Sequence, residues 1–589
     1  MNNHRRNLQL LLCAILLMVP AWGHAQSATE TLTAPVPIYD YAVPGVTYDW
    51  QIVVNNGVVA PGDTRTFNSY NPPSLNLKQL VVFRGRTKGG MQGGGGEPTH
   101  GVFVRDMATG TDVTTVFDRK TAVPQPNNIV YAPDDTPASF IEPPAFPRIG
   151  MWWDTIATRA NHQPVWTYLP EGGTETRSGT TGVYTNPFGS LITGASNLGA
   201  VPDFSFWSVP GTNPPVKFDV FPGAPSVTDG LTIVFKGNFT DGGVAKTGVY
   251  YRNLFPFPIV TLTGSALEPA GGMRPVIRIA DTSTYIPGTR TPFGSTAPPS
   301  AAGPIAVFAG FDNEENPTKG GIYRAPLTGP DPKLKALVTI GQQVPGEGVS
   351  ARFNRIGEAL SFDGRFVAFW GAWGTETVTL TLQCPTTGNK PRIAYCNQQY
   401  PNGFETTVPK YQGIFVYDTV LRTLNAVAKA PKDFTDFVYW NFSGKVAGSE
   451  EGDDGEPARW RSASFVAVSG LVDCLLLDKN YHVAFKARQG QVVEGAYTNV
   501  VDGIYLRKGP DGRNPIASVV QTGVEGTSID PGAVGADSLT GLSVPLPITG
   551  IGIERDGFRG DALAVNVSMG TEAAGWAGIY LTTVPARLK

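Results

Sequence analysis

The sequence predicts an all-β fold assembled from seven copies of one four-stranded antiparallel unit. Three observations predict it: short apolar runs rich in Val, Ile, Thr, Tyr and Phe, turn residues between these runs, and two signatures that recur along the chain. The chain has 589 residues, more than one hydrophobic core usually accommodates, so several domains or a repeat architecture are expected. With 41% hydrophobic and 10% aromatic residues, it is too apolar for a disordered protein.

Two short signatures mark each unit. The first is an apolar pair followed by Phe, any residue and Gly, and it ends at Gly85, Gly237, Gly310 and Gly371, with looser copies in 483–487 and 563–567. The second is Gly, then Val or Ile, then an aromatic residue, and it begins at Gly101, Gly182, Gly248, Gly321, Gly413, Gly503 and Gly578. The copy at Gly182 lacks a clean first signature, and 155–168 is expected to replace it. We expect the small residues of the first signature to let adjacent units approach closely.

A tight turn precedes the first signature. Asp229-Gly230, Asp363-Gly364 and Asp556-Gly557 lie between apolar runs, where Asp-Gly is a strong hairpin signal. Asp363 is therefore predicted to be a turn residue. A further apolar run follows the second signature and ends near Pro-Gly, so each unit has four antiparallel strands, which we call A, B, C and D.

Tandem four-stranded units are typical of a β-propeller, because a ring of blades buries the two faces that a lone sheet would expose. The last unit stops at "GIYLTTVPARLK" without a strand D, whereas 48–63 matches the pattern of a D strand. We therefore predict a seven-bladed β-propeller over 46–589, closed by the N-terminal strand pairing with the C-terminal blade and so hiding both edges. Two separate domains, or eight blades, are the alternatives.

The pattern "SFDGRFVAF" followed by "GIFVYD" resembles the repeat of TolB-like (WD-type) propellers, whose usual form is S-P-D-G-x-x-I-A-F and then I-Y-x-x-D. The match is good in the fifth unit, partial in the third, fourth and sixth, and faint elsewhere. Phe362 stands where that repeat prefers Pro, and the blades here are longer. The resemblance implies a propeller with a binding role and carries over no catalytic residue.

Residues 1–26 are predicted to be a signal peptide. Arg5 and Arg6 precede an apolar run from Leu8 to Val19, and small residues precede a cleavage site after Ala25 or Gln26. A retained membrane anchor is the alternative, and no other segment is apolar enough to span a bilayer. Residues 27–45 would form an N-terminal extension. The protein is thus expected to be exported, to the periplasm or the exterior of a bacterium.

The charge balance argues against nucleic acid as the main partner. The chain has 46 basic and 49 acidic residues with no basic stripe, and signal cleavage would remove two arginines. In an oxidising compartment Cys384 and Cys396 are expected to form a disulfide that clips an exposed loop. Cys474 is then left without a cysteine to pair with. The sequence contains no CxxC motif and no His pair close to its cysteines, so a zinc site is not predicted, and no metal ligands are assigned.

Most of the surplus length falls in B–C and D–A connections, which emerge on the same face of a propeller. That face is the predicted functional face. Its most distinctive segment, 440–465, carries a cluster of charged and aromatic residues: Glu450, Glu451, Asp453, Asp454, Glu456, Arg459, Trp460 and Arg461. These carboxylates could hold Ca²⁺ or cationic groups, and Trp460 could stack on a sugar ring. The alternative is a solvated acidic loop pinned by its own arginines, and the spacing does not fit an EF-hand.

The sequence shows no recognisable catalytic constellation, which favours binding over catalysis. A second aromatic concentration, Met151 to Thr155, is interpreted as packing between blades. The first hypothesis is a binding or scaffold protein, expected to be a monomer and to have no cofactor, whose loop-rich face binds a protein or glycan. The second is a hydrolase or lyase acting on polysaccharide through carboxylates that meet near the axis. A purely structural or metal-stabilised module is the third.

Overall fold

The computed structural model shows a seven-bladed β-propeller, and seven four-stranded antiparallel sheets account for almost all of its regular structure. It describes residues 39–43, 46–89, 98–125, 127–128, 138–162, 167–168, 176–177, 181–197, 208–254, 275–357, 360–386, 390–444, 446, 457–470, 480–536, 540–570 and 575–585. The predicted signal peptide and Cys474 lie outside these residues. In the part that is described, no helix is long and apolar enough to cross a membrane.

Strand A is interrupted in five of the seven blades, so it appears there as two short strands on the same neighbour. The strands of the first half are β1 (Trp50–Asn55); in blade 1, β2 (Phe67–Tyr70), β3 (Ser74–Leu75), β4 (Leu80–Thr87), β5 (His100–Asp106) and β6 (Thr114–Asp118); in blade 2, β7 (Phe140–Glu142), β8 (Arg148–Ile149), β9 (Ile156–His162), β12 (Thr181–Thr185) and β13 (Ile192–Ser196), with β10 (Thr167–Tyr168) and β11 (Thr176–Arg177) between them; in blade 3, β14 (Ser226–Thr228), β15 (Thr232–Asp241), β16 (Val244–Asn253) and β17 (Ile277–Asp281); and in blade 4, β18 (Ser295–Thr296), β19 (Ser300–Ala302), β20 (Ile305–Phe311), β21 (Gly320–Pro326) and β22 (Lys335–Thr339).

Blades 5 and 6 have the longest strands of the ring. The remaining elements are, in blade 5, β23 (Phe353–Ile356), β24 (Ser361–Phe362), β25 (Phe366–Leu382), helix α1 (Lys390–Gln399), β26 (Phe404–Asp418) and β27 (Thr423–Ala430); then β28 (Tyr439–Ser443) and β29 (Arg459–Ala463); in blade 6, β30 (Val466–Gly470), β31 (Tyr481–Val493), β32 (Ala496–Gly509) and β33 (Ile516–Gln521); then β34 (Val534–Ala536) and β35 (Ser543–Pro545); and in blade 7, β36 (Ile548–Gly552), β37 (Phe558–Arg559), β38 (Ala562–Met569) and β39 (Trp576–Thr583). Short 3-10 turns cover Pro187–Gly189 and Gly526–Ser528.

The ring closes as the sequence predicts. β1 pairs antiparallel with β39, from Trp50 opposite Thr582 to Asn55 opposite Gly578, and so supplies strand D of blade 7. At the centre, the inner parts of the seven A strands touch one another in an unbroken cycle. Serine hydroxyls cross the blade boundaries there, since Ser74 donates to the carbonyl of Pro147 at 3.0 Å and Ser300 to that of Leu360 at 2.8 Å.

The segment that precedes β1 adds a second attachment, to blade 6. The backbone N–H of Tyr39 donates to the side-chain carbonyl of Gln489 at 2.6 Å, and the Tyr41 hydroxyl donates to the carbonyl of Asp433 at 2.6 Å. The Tyr41 ring also packs edge-on against Tyr505, with centroids 5.4 Å apart. Residues before the closing strand therefore contact blade 6 as well as leading into blade 7.

The glycine of the first signature has a different packing role from the one that the sequence suggested. A Cβ on Gly85 would lie 2.8 Å from the ring of Phe67, which is on strand A of the same blade. That ring packs edge-on against Phe103, the aromatic residue of the second signature, with centroids 4.9 Å apart. Equivalent edge-on pairs recur in blades 2 to 5, as Phe140–Tyr184, Phe218–Tyr250, Phe293–Tyr323 and Phe353–Phe415. The expectation of close approach between blades was wrong, because the glycine makes room for a ring of its own blade.

Gly85→Ala tests this assignment. The added methyl group would overlap the Phe67 ring, so we expect the free energy of unfolding to fall by about 1–3 kcal/mol. Gly512→Ala is the matched control, because an added Cβ there has no atom within 4 Å. Chemical denaturation of both variants gives the comparison, and equal stabilities would contradict the role given to Gly85.

Candidate functional site

Three insertions from blades 5 and 6 meet on one face of the propeller. β25 and β26 extend beyond the blade and pair as far as Leu382 opposite Phe404, and β31 and β32 pair as far as Val493 opposite Ala496. The backbone N–H of Thr381 donates to the carbonyl of Gly495 at 2.9 Å, which joins the two hairpins. We call these hairpin ends (375–410 and 489–501), with the described residues of 436–465, the head. The placement of B–C and D–A insertions on one face agrees with the sequence prediction.

A disulfide closes the tip of the head. Cys384 and Cys396 are bonded, with Cα atoms 5.8 Å apart, and the bond ties α1 to the end of β25. The predicted pairing is confirmed. The sequence did not indicate α1, because only Cys396 of its ten residues is buried and no amphipathic pattern marks it.

An aromatic cluster holds the head together. Tyr400 packs edge-on against Phe404 and Phe442, with centroids 5.1 and 6.1 Å away. Trp460 on β29 stacks on Phe404 at 6.2 Å with an interplanar angle of 10° and meets Phe442 at 5.5 Å. These contacts connect the β25–β26 insertion with the β28–β29 arm, and the hydrogen bond from Thr381 to Gly495 attaches the β31–β32 hairpin to the same body.

The predicted binding residues fall into two groups. Glu450, Glu451, Asp453, Asp454 and Glu456 lie outside the described residues. Arg459 is exposed and lies 3.9 Å from Glu314 of blade 4, whereas Arg461 is half-buried and donates to the carbonyl of Pro457 at 3.4 Å. One face of Trp460 is already covered by Phe404. Nε1 of Trp440 and Nε1 of Trp460 are buried and find no acceptor within the described part of the chain.

A charged cluster at the base of the head was not foreseen. Nζ of Lys486 lies 3.9 Å from the ring centre of Tyr439 and 5.8 Å from that of Phe465. Arg488 lies between the rings of Tyr439 and Tyr497, at 4.8 and 4.4 Å. The guanidinium makes two contacts with Asp502, Nε to Oδ1 at 2.8 Å and an Nη to Oδ2 at 3.1 Å. The two cations and one carboxylate share a space bounded by tyrosine rings.

A buried carboxyl group completes the cluster. Asp436 accepts hydrogen bonds from the Tyr497 hydroxyl, from the Gln412 amide at 2.8 Å and from the backbone N–H of Val438 at 2.8 Å. Burial raises the pKa of Asp436 despite these donors. The Trp370 indole N–H donates to Gln412 at 2.8 Å, so a polar chain runs from blade 5 into the base of the head.

Sequence reasoning could not find this cluster, because its members are spread over about 130 positions and none belongs to a motif. The available signal was weak. β31 is buried throughout up to Phe485, and then places Lys486 and Arg488 on one side of the strand, two residues apart. Their aromatic neighbours come from connections and from β32, whose positions only the fold reveals.

Burial lowers the pKa of Lys486 to about 8, from an ordinary value of 10.5. Below pH 8 the folded protein bears the full cost of a poorly hydrated cation, and this cost vanishes as pH rises past 10.5. Lys486→Met removes the titrating group. We therefore expect the stability of the wild type relative to this variant to rise between pH 8 and 10.5. Denaturation at a series of pH values measures the difference, and a constant difference would contradict the burial of the charge.

Near the axis, two carboxylates of one blade meet an arginine of another. Arg148 of blade 2 pairs with Glu554 and, at 2.6 Å, with Asp556, both from blade 7. Asp556 also pairs with Arg559, and Arg148 is 1% exposed. Burial raises the pKa of Glu554 although Arg148 opposes the shift. Each of these carboxylates is enclosed and has an arginine partner.

Asp363 is a turn residue, as predicted. Oδ1 accepts the backbone N–H groups of Arg365 and Phe366 at 2.9 and 2.7 Å. Oδ2 accepts the N–H of Gly470 in blade 6 at 2.5 Å. The carboxylate therefore organises its own turn and attaches it to the next blade.

The opposite face presents two tryptophans. Met151 packs into the core, but Trp152 is 57% exposed and Trp153 is 52% exposed. Asp154 in the same turn pairs with Lys78 at 3.2 Å. Trp153 also lies against Gly230 in the A–B turn of blade 3, so part of this segment packs between blades as interpreted, although the A–B turn of blade 2 leaves both tryptophans more than half exposed.

The described residues define an all-β propeller with a disulfide-clipped head over blades 5 and 6. No protein-family model matches the chain, and no curated protein matches it, so the resemblance to TolB-like propellers gains no support. Among solved structures, the chain is similar at 10% identity to the polysaccharide lyase Uly1, with a TM-score of 0.26 over 53% of this chain and 56% of the lyase. The chain thus spans little more than half the length of that enzyme.

Two further similar structures are glycoside hydrolases. The α-L-arabinofuranosidase Arb93A from Fusarium graminearum has 10% identity and a TM-score of 0.24, over 80% of this chain and 98% of that enzyme. Fructan 1-exohydrolase IIa from Cichorium intybus has 10% identity and a TM-score of 0.21, over 91% and 96% of the two chains. At these scores the likenesses carry no argument about a site or a reaction.

Proposed function

We propose that the protein is an exported binding protein that holds a glycan or a protein against its head. The observation that carries this proposal is the meeting of three long insertions in one disulfide-clipped body. Ordered loops on a rigid scaffold are the usual site of recognition. The disulfide suits an oxidising compartment outside the cytoplasm, which supports export.

A glycan is the ligand class we favour. Guanidinium groups and partly exposed aromatic rings are concentrated in the head and at its base, and sugars are bound by such combinations of donors and apolar ring faces. A protein ligand remains the other outcome of the test. Calcium at the acidic residues 450–456 stays a prediction, and an unchanged melting temperature on chelation would remove it.

The test trims the head while keeping its hairpin. Replacing residues 383–403 by Asn-Gly joins Leu382 to Phe404, which already face each other across the strands. We expect this variant to fold and to lose the ligands that the wild type binds on a glycan array, or in a protein pull-down.

A shortened hairpin on the same face is the matched control. Removing Thr240, Asp241, Val244 and Ala245 brings Phe239 and Lys246 together around the existing Gly-Gly turn of blade 3. This control should keep wild-type binding. Equal binding by the head-trimmed variant and the wild type would overturn the proposal.

A polysaccharide-acting hydrolase or lyase is the second candidate, favoured by the convergence of Glu554 and Asp556 near the axis. A raised pKa is what a general acid at neutral pH requires, and burial raises that of Glu554. The arginine partners instead favour a structural role. Glu554→Gln should leave any sugar release from polysaccharide unchanged if the role is structural, and should abolish it if Glu554 is the acid.

A further inference from the structure

Among the residues that the structure describes, one cation at the base of the head has no anionic partner of its own. Asp502 is engaged by Arg488 through both oxygens, at 2.8 and 3.1 Å. Asp436 is enclosed by Tyr497, Gln412 and a backbone N–H. Lys486 is left with two aromatic rings, and among the described residues none accepts a hydrogen bond from its Nζ.

The carboxylates of this cluster are engaged by other groups. Arg488 takes both oxygens of Asp502, and Asp436 is enclosed by its own donors while burial raises its pKa. An aromatic ring face attracts an ammonium group but cannot replace the hydrogen bonds that three N–H donors lose on leaving water. A partly enclosed cation whose neighbours are only ring faces is therefore a candidate for a functional site.

The position of Lys486 suits contact with a ligand. Its side chain is partly exposed. Tyr439 begins β28 and Phe465 follows β29, so both rings lie at the base of the β28–β29 arm. Arg488 is fixed by Asp502 and Tyr439, so the local positive potential has a rigid support. An anionic group arriving beside the arm would meet Nζ and gain the hydrogen bonds that the protein does not supply.

Resting on the function proposed above, we propose that Lys486 binds the carboxylate or sulfate of an acidic sugar, so that the glycan held at the head is an acidic polysaccharide. Neutral glycans would lack the group that completes the cluster.

The experiment measures binding of the full mature chain to three polymers: polygalacturonate, dextran sulfate and neutral dextran. We expect binding to polygalacturonate, dextran sulfate or both, none to dextran, and weakening with added salt. The first two polymers distinguish a carboxylate from a sulfate. Lys486→Met should weaken acidic-polymer binding about tenfold, and Lys486→Arg should retain most of it.

Lys335→Met is the matched control, since Lys335 is an exposed lysine on blade 4 and its loss should leave binding unchanged. Melting temperatures verify that each variant is folded. A second measurement follows the pKa of Lys486 by NMR of dimethylated lysines, which should rise when galacturonate oligosaccharides saturate the protein.

The outcomes separate this inference from the function on which it rests. The wild type could instead bind a neutral glycan or a protein. If the head-trimmed variant loses that binding and Lys486→Met keeps it, the binding function stands and the proposal of an acidic ligand is overturned. Acidic-polymer binding that persists in both variants would overturn both. Failure of the folded wild type to bind either acidic polymer would also overturn the inference.

Discussion

Replacing Arg148 by alanine is expected to lower the free energy of unfolding by about 3–5 kcal/mol, the usual cost of leaving a buried charge without its partner. Arg148 is 1% exposed and neutralises Glu554 and Asp556, which then keep only Arg559 and Arg555 nearby. The pair joins blade 2 to blade 7 across blade 1, so its loss affects the closed ring rather than one sheet.

The pH dependence of this loss has a definite sign. Burial raises the pKa of Glu554, and without Arg148 it rises further above the unfolded value, so the cost is present at neutral pH and fades as Glu554 becomes protonated. The deficit of Arg148→Ala should therefore be larger at pH 7 than at pH 4, as measured by urea denaturation.

The matched control is Lys78→Ala. It breaks an ion pair with Asp154 in which both side chains are 58% exposed, and exposed pairs contribute less than about 1 kcal/mol. Similar losses of unfolding free energy for Lys78→Ala and Arg148→Ala would show that the buried ion pairs of Arg148 do not stabilise the closed ring.

Removing the closing strand is expected to have the largest effect of all. A chain that begins at Val58 lacks β1, and with it Val53 and Val54, which are both fully buried. It also exposes the edge of β39 and leaves Arg105 without the carbonyls of Ile52 and Val53. Such a chain should lack a cooperative unfolding transition and aggregate, because an open hydrophobic edge invites pairing with other molecules.

Relocating the strand provides the control. β1 runs antiparallel to β39, and Trp50 lies opposite Thr582, so the end of β39 is next to the start of β1. Attaching residues 48–57 after residue 585 through a short turn should restore the fold and a cooperative melt. A truncated chain that is as stable as the wild type would contradict closure by β1.

The fold could be predicted because its determinants are local and repeated. The second signature places a glycine where strand D approaches, and a Cβ on Gly101 would lie 2.5 Å from the carbonyl oxygen of Phe117. Strand D also approaches the corresponding glycine in blades 2, 3, 4, 5 and 7, which leaves a regular trace in the sequence. The copies of this signature predict the order of the strands. The last copy has no strand D after it, which predicts that the N-terminal strand completes the last blade.

The charged sites could not be predicted, because their members are distant in sequence. Arg148 and Glu554 are 406 residues apart, and neither is marked by a pattern. Lys486 and Tyr439 meet only because a D–A connection folds back over β31. Even the role of Gly85 was misjudged, since a missing side chain shows that something is close but not whether it belongs to the same blade.

The most direct test of the central claim, that the head is the binding surface, is hydrogen–deuterium exchange of the full chain with and without saturating polygalacturonate. We predict slower exchange in α1, β28, β29 and the outer half of β31 when the polymer is bound, and no change in blades 1 to 3. Protection confined to 553–557 and the axial A strands, or unchanged exchange throughout the head, would contradict this account.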